Sequence, residues 1–328
     1  MSERSAATRL LLTAIKILIG MGLLYFSLSG IDWSLLVVQF ESTDMLWLTI
    51  ASMTVLLSLV LKVLRWSMLL RIADQSYSAI DISGAYFLGQ AANILLPFRG
   101  GELVRLGWLR SQHKGRTAHI GTTIVLEKYL DLMVLAMILI LVIVPLRDSG
   151  VQPDLVPVLV PVIVISLLLV FGFWMFPSIW HKVKNMSFLP ENKTIHWLTD
   201  RLDEWVADVL LMRDIKRWIQ LTTISLVIWG IMCFTNIFLM RAVEISIDVR
   251  AGLLVLVFVY LGLLPGLMPG NLGPFYYFSG LALSFFDVTM AKKVAFSVLL
   301  HGIVTTPPLV AAGVFLIIFR RRKDAVHH

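Results

Sequence analysis

The chain alternates long apolar runs with short polar loops, a pattern typical of helical membrane proteins. A bilayer core of about 30 Å needs about 20 apolar residues per helical span. The first run lacks a small-residue cleavage site and precedes the polar stretch IDWS, so we expect it to remain as a span. The pattern predicts six transmembrane helices, at about 10–29, 44–70, 118–146, 154–178, 216–243 and 291–319.

Two further apolar segments are interrupted near their middle. The first covers about 81–113 and breaks at 97–101, and the second covers about 251–286 and breaks at 265–274. Each segment is too long for one span, and halves of about 15 residues are too short for two. Proline and glycine at the breaks therefore predict two re-entrant hairpins, each entering and leaving the membrane on one side.

The basic residues of the loops predict the orientation. They accumulate at helix ends and in loops that we assign to the cytoplasm, as with Lys62, Arg65 and Arg71 toward the end of the second span, and both termini are cytoplasmic. Lys292 and Lys293 fall on the outer side and are the exception. Two spanning hairpins would give the same sidedness, so eight or more crossings remain an alternative.

The order span, span, broken hairpin, span occurs twice. We therefore predict an all-α polytopic membrane protein with one integral membrane domain, 1–328, built as an inverted repeat of 10–146 and 154–319. Broken helices at matching positions of two inverted halves are typical of transporters, with the binding site where the broken segments meet. Between the halves, 194–212 has the pattern of an amphipathic helix that anchors on the membrane surface.

Composition supports a membrane protein and narrows its partners. The 328 residues are 58% hydrophobic and 15% charged, which excludes an ordinary soluble domain. The net charge of +7 comes from basic residues at the ends of apolar segments, so it predicts anionic lipid head groups as partners and not nucleic acid. Cys233 is the only cysteine, so no disulfide can form within the chain.

The first break carries charges that would be expensive in lipid. Arg99, Glu102 and Arg105 surround the pair Gly100 and Gly101. A half-helix beginning near the glycines would point backbone N–H groups at an incoming anion, and glycine would let that anion approach closely. We predict that these five residues bind a phosphate or carboxylate.

Two carboxylates on one helix face form a second cluster. Glu127 and Asp131 are four residues apart and could pair with Arg99 or Arg105. They either neutralise those arginines or form a network that opens when a lipid phosphate replaces a carboxylate. Together with Glu102 they are also candidates for proton coupling.

The second break offers exposed backbone but no charge. It is either a structural turn or a lining for a head group, and in the latter case Asn271, Gly273 and Tyr276 would contact the substrate. His301 lies in the last predicted span. It is either a packing residue or part of a proton relay. Asn93 is expected to hydrogen-bond within the first hairpin.

Several motifs are missing from the sequence. It contains neither a G-x-x-x-x-G-K-[ST] nucleotide loop nor a G-x-S-x-G hydrolase motif, and no metal-ligand spacing is present. We therefore expect no cofactor, no metal and no enzyme activity. An enzyme would have to gather Glu102, Glu127 and Asp131 around a metal and a phosphate.

Three stretches resemble the lysylphosphatidylglycerol synthase transmembrane-region family, also called flippase-like domain proteins: NILLPFRGGELVR (93–105), LEKYLD (126–131) and LPGLMPGNLGP (264–274). In the multiple peptide resistance factor, a similar domain is joined to an aminoacyl-transfer domain and moves the modified lipid outward. The present chain carries no such second domain, so the resemblance implies lipid translocation without lipid aminoacylation.

The resemblance carries over residue by residue to Arg99, Gly100, Glu102, Arg105, Glu127, Asp131 and the region of Gly273. Family members often have an arginine near position 301, where this chain has His301, so no role transfers to the histidine. Our hypothesis is a lipid translocase of the cell (inner) membrane for an anionic phospholipid, aminoacylated lipid or polyprenyl-phosphate lipid. The alternative is a membrane enzyme or accessory subunit acting on a lipid-linked phosphate or sugar. A homo-oligomer is left open.

Overall fold

The computed structural model describes residues 2–326, except 73–76, 97–99, 113–116, 149–155, 186–191, 212–213, 247–248, 265 and 267. This part of the chain is helical and contains no strand. In chain order its α-helices are α1 (Ser2–Leu28), α2 (Trp33–Glu41), α3 (Met45–Arg71), α4 (Ala79–Leu95), α5 (Gly101–Gln112), α6 (Thr117–Asp148), α7 (Val156–Lys184), α8 (Lys193–Leu211), α9 (Ile215–Ala242), α10 (Val249–Leu263), α11 (Leu272–Leu283) and α12 (Met290–Val326). A short 3₁₀ helix, Pro269–Asn271, precedes α11.

Among the described residues, three helices have the length and hydropathy to cross a membrane: α3, α9 and α12 as far as Arg320. The pair Ala14–Leu28 and Trp33–Glu41, bent by 80°, would make a fourth span if counted as one. The three helices coincide with three of the six predicted spans. The count of six, the inverted repeat and the side of the termini stay predictions.

The two predicted interruptions separate helices of the expected lengths. The helices around the first break, α4 and α5, have 17 and 12 residues, and those around the second, α10 and α11, have 15 and 12. At 1.5 Å per residue, a helix of 12 residues reaches about 18 Å and cannot cross a 30 Å core alone. The second break ends earlier than predicted, because Gly273 and Pro274 belong to the first turn of α11. Proline is tolerated there because the first N–H groups of a helix have no partner within it.

Helix starts follow local capping chemistry. The carboxylates of Asp32, Asp44 and Asp214 accept hydrogen bonds from backbone N–H groups in the first turns of α2, α3 and α9. Asn192 does the same for α8, and at α4 the hydroxyl of Ser78 accepts from the N–H three residues on. These side chains satisfy donors that a helix start leaves unpaired.

Helix α2 was not predicted. Its residues were assigned to the loop after the first span, although Asp32 before the apolar run is a recognisable cap. Helix α2 packs against α12, and the carboxamide of Gln39 donates a hydrogen bond of 3.2 Å to the carbonyl of Val243.

The chain divides into two compact units. Unit 1 comprises Met1–Val60, Gly84–Arg105 and Gly230–His328, and in it α11 packs against α1, α10 and α12. The crossing of α1 and α11 is close, since a Cβ atom at Gly273 would lie 1.8 Å from the carbonyl oxygen of Gly20. Small residues at such crossings let helix backbones approach, as is common in membrane proteins.

Unit 2 comprises Leu61–Ser83 and Leu106–Trp229, and in it α6, α7 and α8 pack together. The apolar face of α8 contacts α7 through Trp205, whose ring meets Phe176 edge to face at 4.6 Å. On the same helix Asp203 accepts hydrogen bonds from Trp180 and Lys184. Partial desolvation raises the pKa of Asp203, but these two bonds and the nearby charges of Lys184 and His181 together hold that pKa below its ordinary value. Neither unit coincides with a predicted repeat.

Candidate functional site

The first break is organised by an asparagine. Asn93, near the end of α4, accepts a hydrogen bond of 2.8 Å from the backbone N–H of Gly101 at the start of α5. Its amide nitrogen lies 3.5 Å from a carboxylate oxygen of Glu102. The expectation that Asn93 bonds within the hairpin is confirmed. Arg99 lies outside the described residues.

Gly101 serves helix packing. A Cβ atom there would lie 2.0 Å from the carbonyl oxygen of Gly89 on α4, so a side chain cannot be accommodated without a shift of backbone. The N–H of Gly101, which we expected to face an anion, donates to Asn93 instead. At Gly100, in the turn before α5, an added Cβ would meet only Leu96, at 4.0 Å.

Arg105 lies on α5 and is only 2% exposed. Its guanidinium carbon is 4.9 Å from the centre of the Tyr86 ring on α4, a cation–π distance. The aliphatic part of Arg105 crosses Gly89, where a Cβ would lie 2.4 Å from its Cγ. A buried cation is therefore held against α4 close to the first break.

The second break is a tight turn of backbone. Gly270 and Asn271 both have left-handed conformations, with φ of 72° and 54°. His301 on α12 has its Nε2 2.8 Å from the carbonyl oxygen of Gly270, and because a carbonyl can only accept, the imidazole is the donor. The rings of Phe275 and Tyr276 lie 5.0 and 5.7 Å from the imidazole. These contacts agree with the packing interpretation of His301.

Tyr276 also lines a cleft of about 140 Å³ in unit 1. Aromatic and apolar groups of α1, α11 and α12 form most of its wall, including Phe26 and Met290. Its cation is Lys293, which donates a hydrogen bond of 3.2 Å to Ser284. An apolar cleft with one positive group matches the chemistry of an anionic amphiphile.

Unit 2 contains a buried ion network. Arg65 on α3, 1% exposed, lies 2.7 Å from a carboxylate oxygen of Asp131 and 3.8 Å from one of Glu127, both on α6. Arg65 also donates to the hydroxyl of Ser225 at 3.0 Å, and the indole of Trp229 donates to Asp131 at 3.1 Å. The cluster therefore joins α3, α6 and α9.

Arg65 is the residue that the sequence analysis missed. Its charge predicts the cytoplasmic side of the second span, but the structure shows it inside α3 as the partner seen for both carboxylates. Lys62, one turn earlier, also interacts electrostatically with Asp131 and Glu127. Two basic residues inside a predicted span should themselves have indicated a buried site.

The predicted site residues thus fall into two groups. The described residues at both breaks, together with His301, belong to unit 1, whereas Glu127 and Asp131 belong to unit 2. Within the ranges that the structure describes, no group of three or more His, Cys, Asp or Glu residues could hold a metal ion.

Comparison with known families identifies the chain. Residues 13–312 match the family described as the lysylphosphatidylglycerol synthase TM region. The chain belongs to this family. No curated protein matches the chain. Family membership and the apolar helices together make it a multi-pass membrane protein connected with membrane lipids.

Proposed function

We propose that this member of the lysylphosphatidylglycerol synthase TM-region family translocates an anionic lipid between the leaflets of the cell (inner) membrane. One observation carries the proposal: the described residues at the breaks of both interrupted apolar segments belong to the same compact unit. In transporters, broken helices supply unpaired backbone groups and helix ends to a substrate within the membrane. A lipid head group would bind there while its acyl chains stay in the bilayer.

The residues at the two breaks offer different chemistry to such a lipid. Arg99 and Arg105 supply positive charge at the first break for a phosphate. At the second break, Tyr276 supplies an aromatic ring to the 140 Å³ cleft and Asn271 supplies backbone, whereas Gly273 is packed against Gly20 of α1. The substrate class is an anionic phospholipid, an aminoacylated lipid or a polyprenyl-phosphate lipid.

The energy source for translocation is a further part of the proposal. The sequence holds no nucleotide-binding loop, and we propose that translocation is downhill or coupled to protons. Glu102, Glu127 and Asp131 are the carboxylates that would carry a proton. Protonating Asp131 would weaken its pairing with Arg65, which would link a proton to the packing of α3 against α6.

Lipid scrambling in vesicles tests the proposal. The purified protein is reconstituted with a fluorescent phosphatidylglycerol, and the fraction of label accessible to an external reductant is followed over time. Arg99→Ala should slow translocation by about tenfold or more, because a charge-assisted contact to phosphate is lost. Arg110→Ala, which removes an exposed arginine of α5, should leave the rate unchanged.

Two results would overturn the proposal. Equal scrambling by protein-free vesicles and by vesicles with wild-type protein would exclude translocation. Chemical conversion of the lipid, detected by mass spectrometry of the extracted products, would favour the alternative of a membrane enzyme, because a translocase leaves its substrate unchanged.

A further inference from the structure

A second cavity, of about 240 Å³, lies in unit 2 between the end of α3 and the beginning of α9. Its described lining consists of Met68, Arg71, Ile72, Arg217, Gln220 and Leu221. None of these residues belongs to the site proposed for translocation.

The polar part of this lining consists mainly of hydrogen-bond donors. Arg71 and Arg217 contribute two guanidinium groups, which only donate, and Gln220 adds an amide. The described lining contains no carboxylate. Arg217 lies 3.6 Å from Asp214, but both side chains are about half exposed, at 46% and 47%, so the pair is weak. Two like charges around one cavity favour an anion between them.

The remaining wall is apolar. Met68 and Ile72 on α3 and the buried Leu221 on α9 face the same cavity as the arginines. The orientation predicted from loop charges assigns these helix ends to the cytoplasmic side, where anionic lipids accumulate. Guanidinium groups beside an apolar wall suit a phosphate attached to a hydrocarbon better than a fully hydrated ion.

We propose that this cavity binds the phosphate of an anionic phospholipid and retains that lipid on unit 2. Arginine can hold phosphate by two parallel hydrogen bonds, and two arginines can contact one phosphate from different helices. The bound lipid would join the end of α3 to the start of α9. This role does not depend on translocation.

Native mass spectrometry of the full chain in detergent tests the assignment. The probes are phosphatidylglycerol, which is anionic, phosphatidylcholine, which is zwitterionic, and inorganic phosphate. The test variant is Arg71→Gln with Arg217→Gln. The matched control is Arg110→Gln with Arg201→Gln, which removes two exposed arginines from α5 and α8 of the same unit.

The wild type and the control should bind phosphatidylglycerol alike and more tightly than phosphatidylcholine, and the test variant should lose about tenfold in affinity. Because the two substituted arginines are exposed, the variant should fold and elute from size exclusion as the wild type does. Equal lipid retention by the test and control variants would overturn the site. Displacement of the lipid by millimolar inorganic phosphate would overturn the lipid head group as the ligand.

Discussion

The ion network of unit 2 allows a quantitative prediction for Arg65→Met. The substitution keeps most of the side-chain volume but removes the partner found 2.7 Å from Asp131 and 3.8 Å from Glu127. It also removes the donor to Ser225. Removing one partner of a buried ion pair costs about 3–5 kcal/mol, since the other charge stays buried. At about 2–4 °C per kcal/mol, the apparent Tm should fall by on the order of 10 °C.

Thermal unfolding of the purified protein, followed by size exclusion or tryptophan fluorescence, measures this fall. Arg110→Met removes an exposed arginine from α5 and should change the apparent Tm by less than about 2 °C. Adding Asp131→Leu to Arg65→Met should restore about half of the loss, because an apolar pair replaces the ion pair. If Arg65→Met melts at the same temperature as the control, the ion network does not stabilise unit 2.

Three further predictions concern packing and pH. Gly273→Ala forces a Cβ into the backbone of α1 and should lower the free energy of unfolding by about 1–3 kcal/mol, as measured by thermal unfolding. Gly280→Ala is the control, because open space surrounds Gly280, and it should leave that free energy unchanged. Asn93→Ala removes the acceptor for the backbone N–H of Gly101 and should lower the free energy of unfolding by about 1 kcal/mol. Amide hydrogen exchange at the start of α5 should become faster, and unchanged exchange would contradict a capping role for Asn93. Because the pKa of Asp203 is lowered in the folded state, its carboxylate stabilises the fold above its unfolded pKa of about 3.9, and this stability is lost as the pH falls through the folded pKa. The protection of α8 amides from hydrogen exchange should therefore be constant from about pH 5 to 8. Loss of that protection within this range would contradict the stabilising role of Asp203.

The helix positions could be predicted because they depend on local signals. Apolar runs of spanning length predicted α3, α9 and the part of α12 up to Arg320 within a few residues, and proline with glycine predicted both breaks. The short helix α2 was missed because nine residues between acidic positions do not suggest a span. Its cap, Asp32, was present in the sequence and could have identified it.

The partners of buried charged side chains could not be predicted, because these partners are distant in the chain. Arg65 meets a carboxylate 66 positions away and a hydroxyl 160 positions away, and no single sequence contains that information. The glycines at the first break show the same limit. A requirement for glycine at position 101 was predicted, but its cause is the backbone of Gly89, which no local motif could indicate.

Position 301 connects α12 with the turn of the second break. Histidine, arginine and glutamine share the ability to donate a hydrogen bond. In this chain the donor bonds the carbonyl of Gly270, in a turn where two successive residues have left-handed backbone. This contact needs only a hydrogen-bond donor at position 301, so it accounts for the histidine without a proton relay.

This account predicts that His301→Arg and His301→Gln keep the fold and the pH profile of lipid translocation, whereas His301→Leu loosens the second break. The free energy of unfolding of the leucine variant should fall by about 1–3 kcal/mol, because the carbonyl of Gly270 loses its hydrogen-bond donor. Thermal unfolding and scrambling rates between about pH 5.5 and 8 distinguish the two interpretations, since that range covers the ordinary pKa of histidine. A relay would make the glutamine variant lose its pH dependence at unchanged stability. That outcome would require His301 to carry a proton as well as to hold the turn.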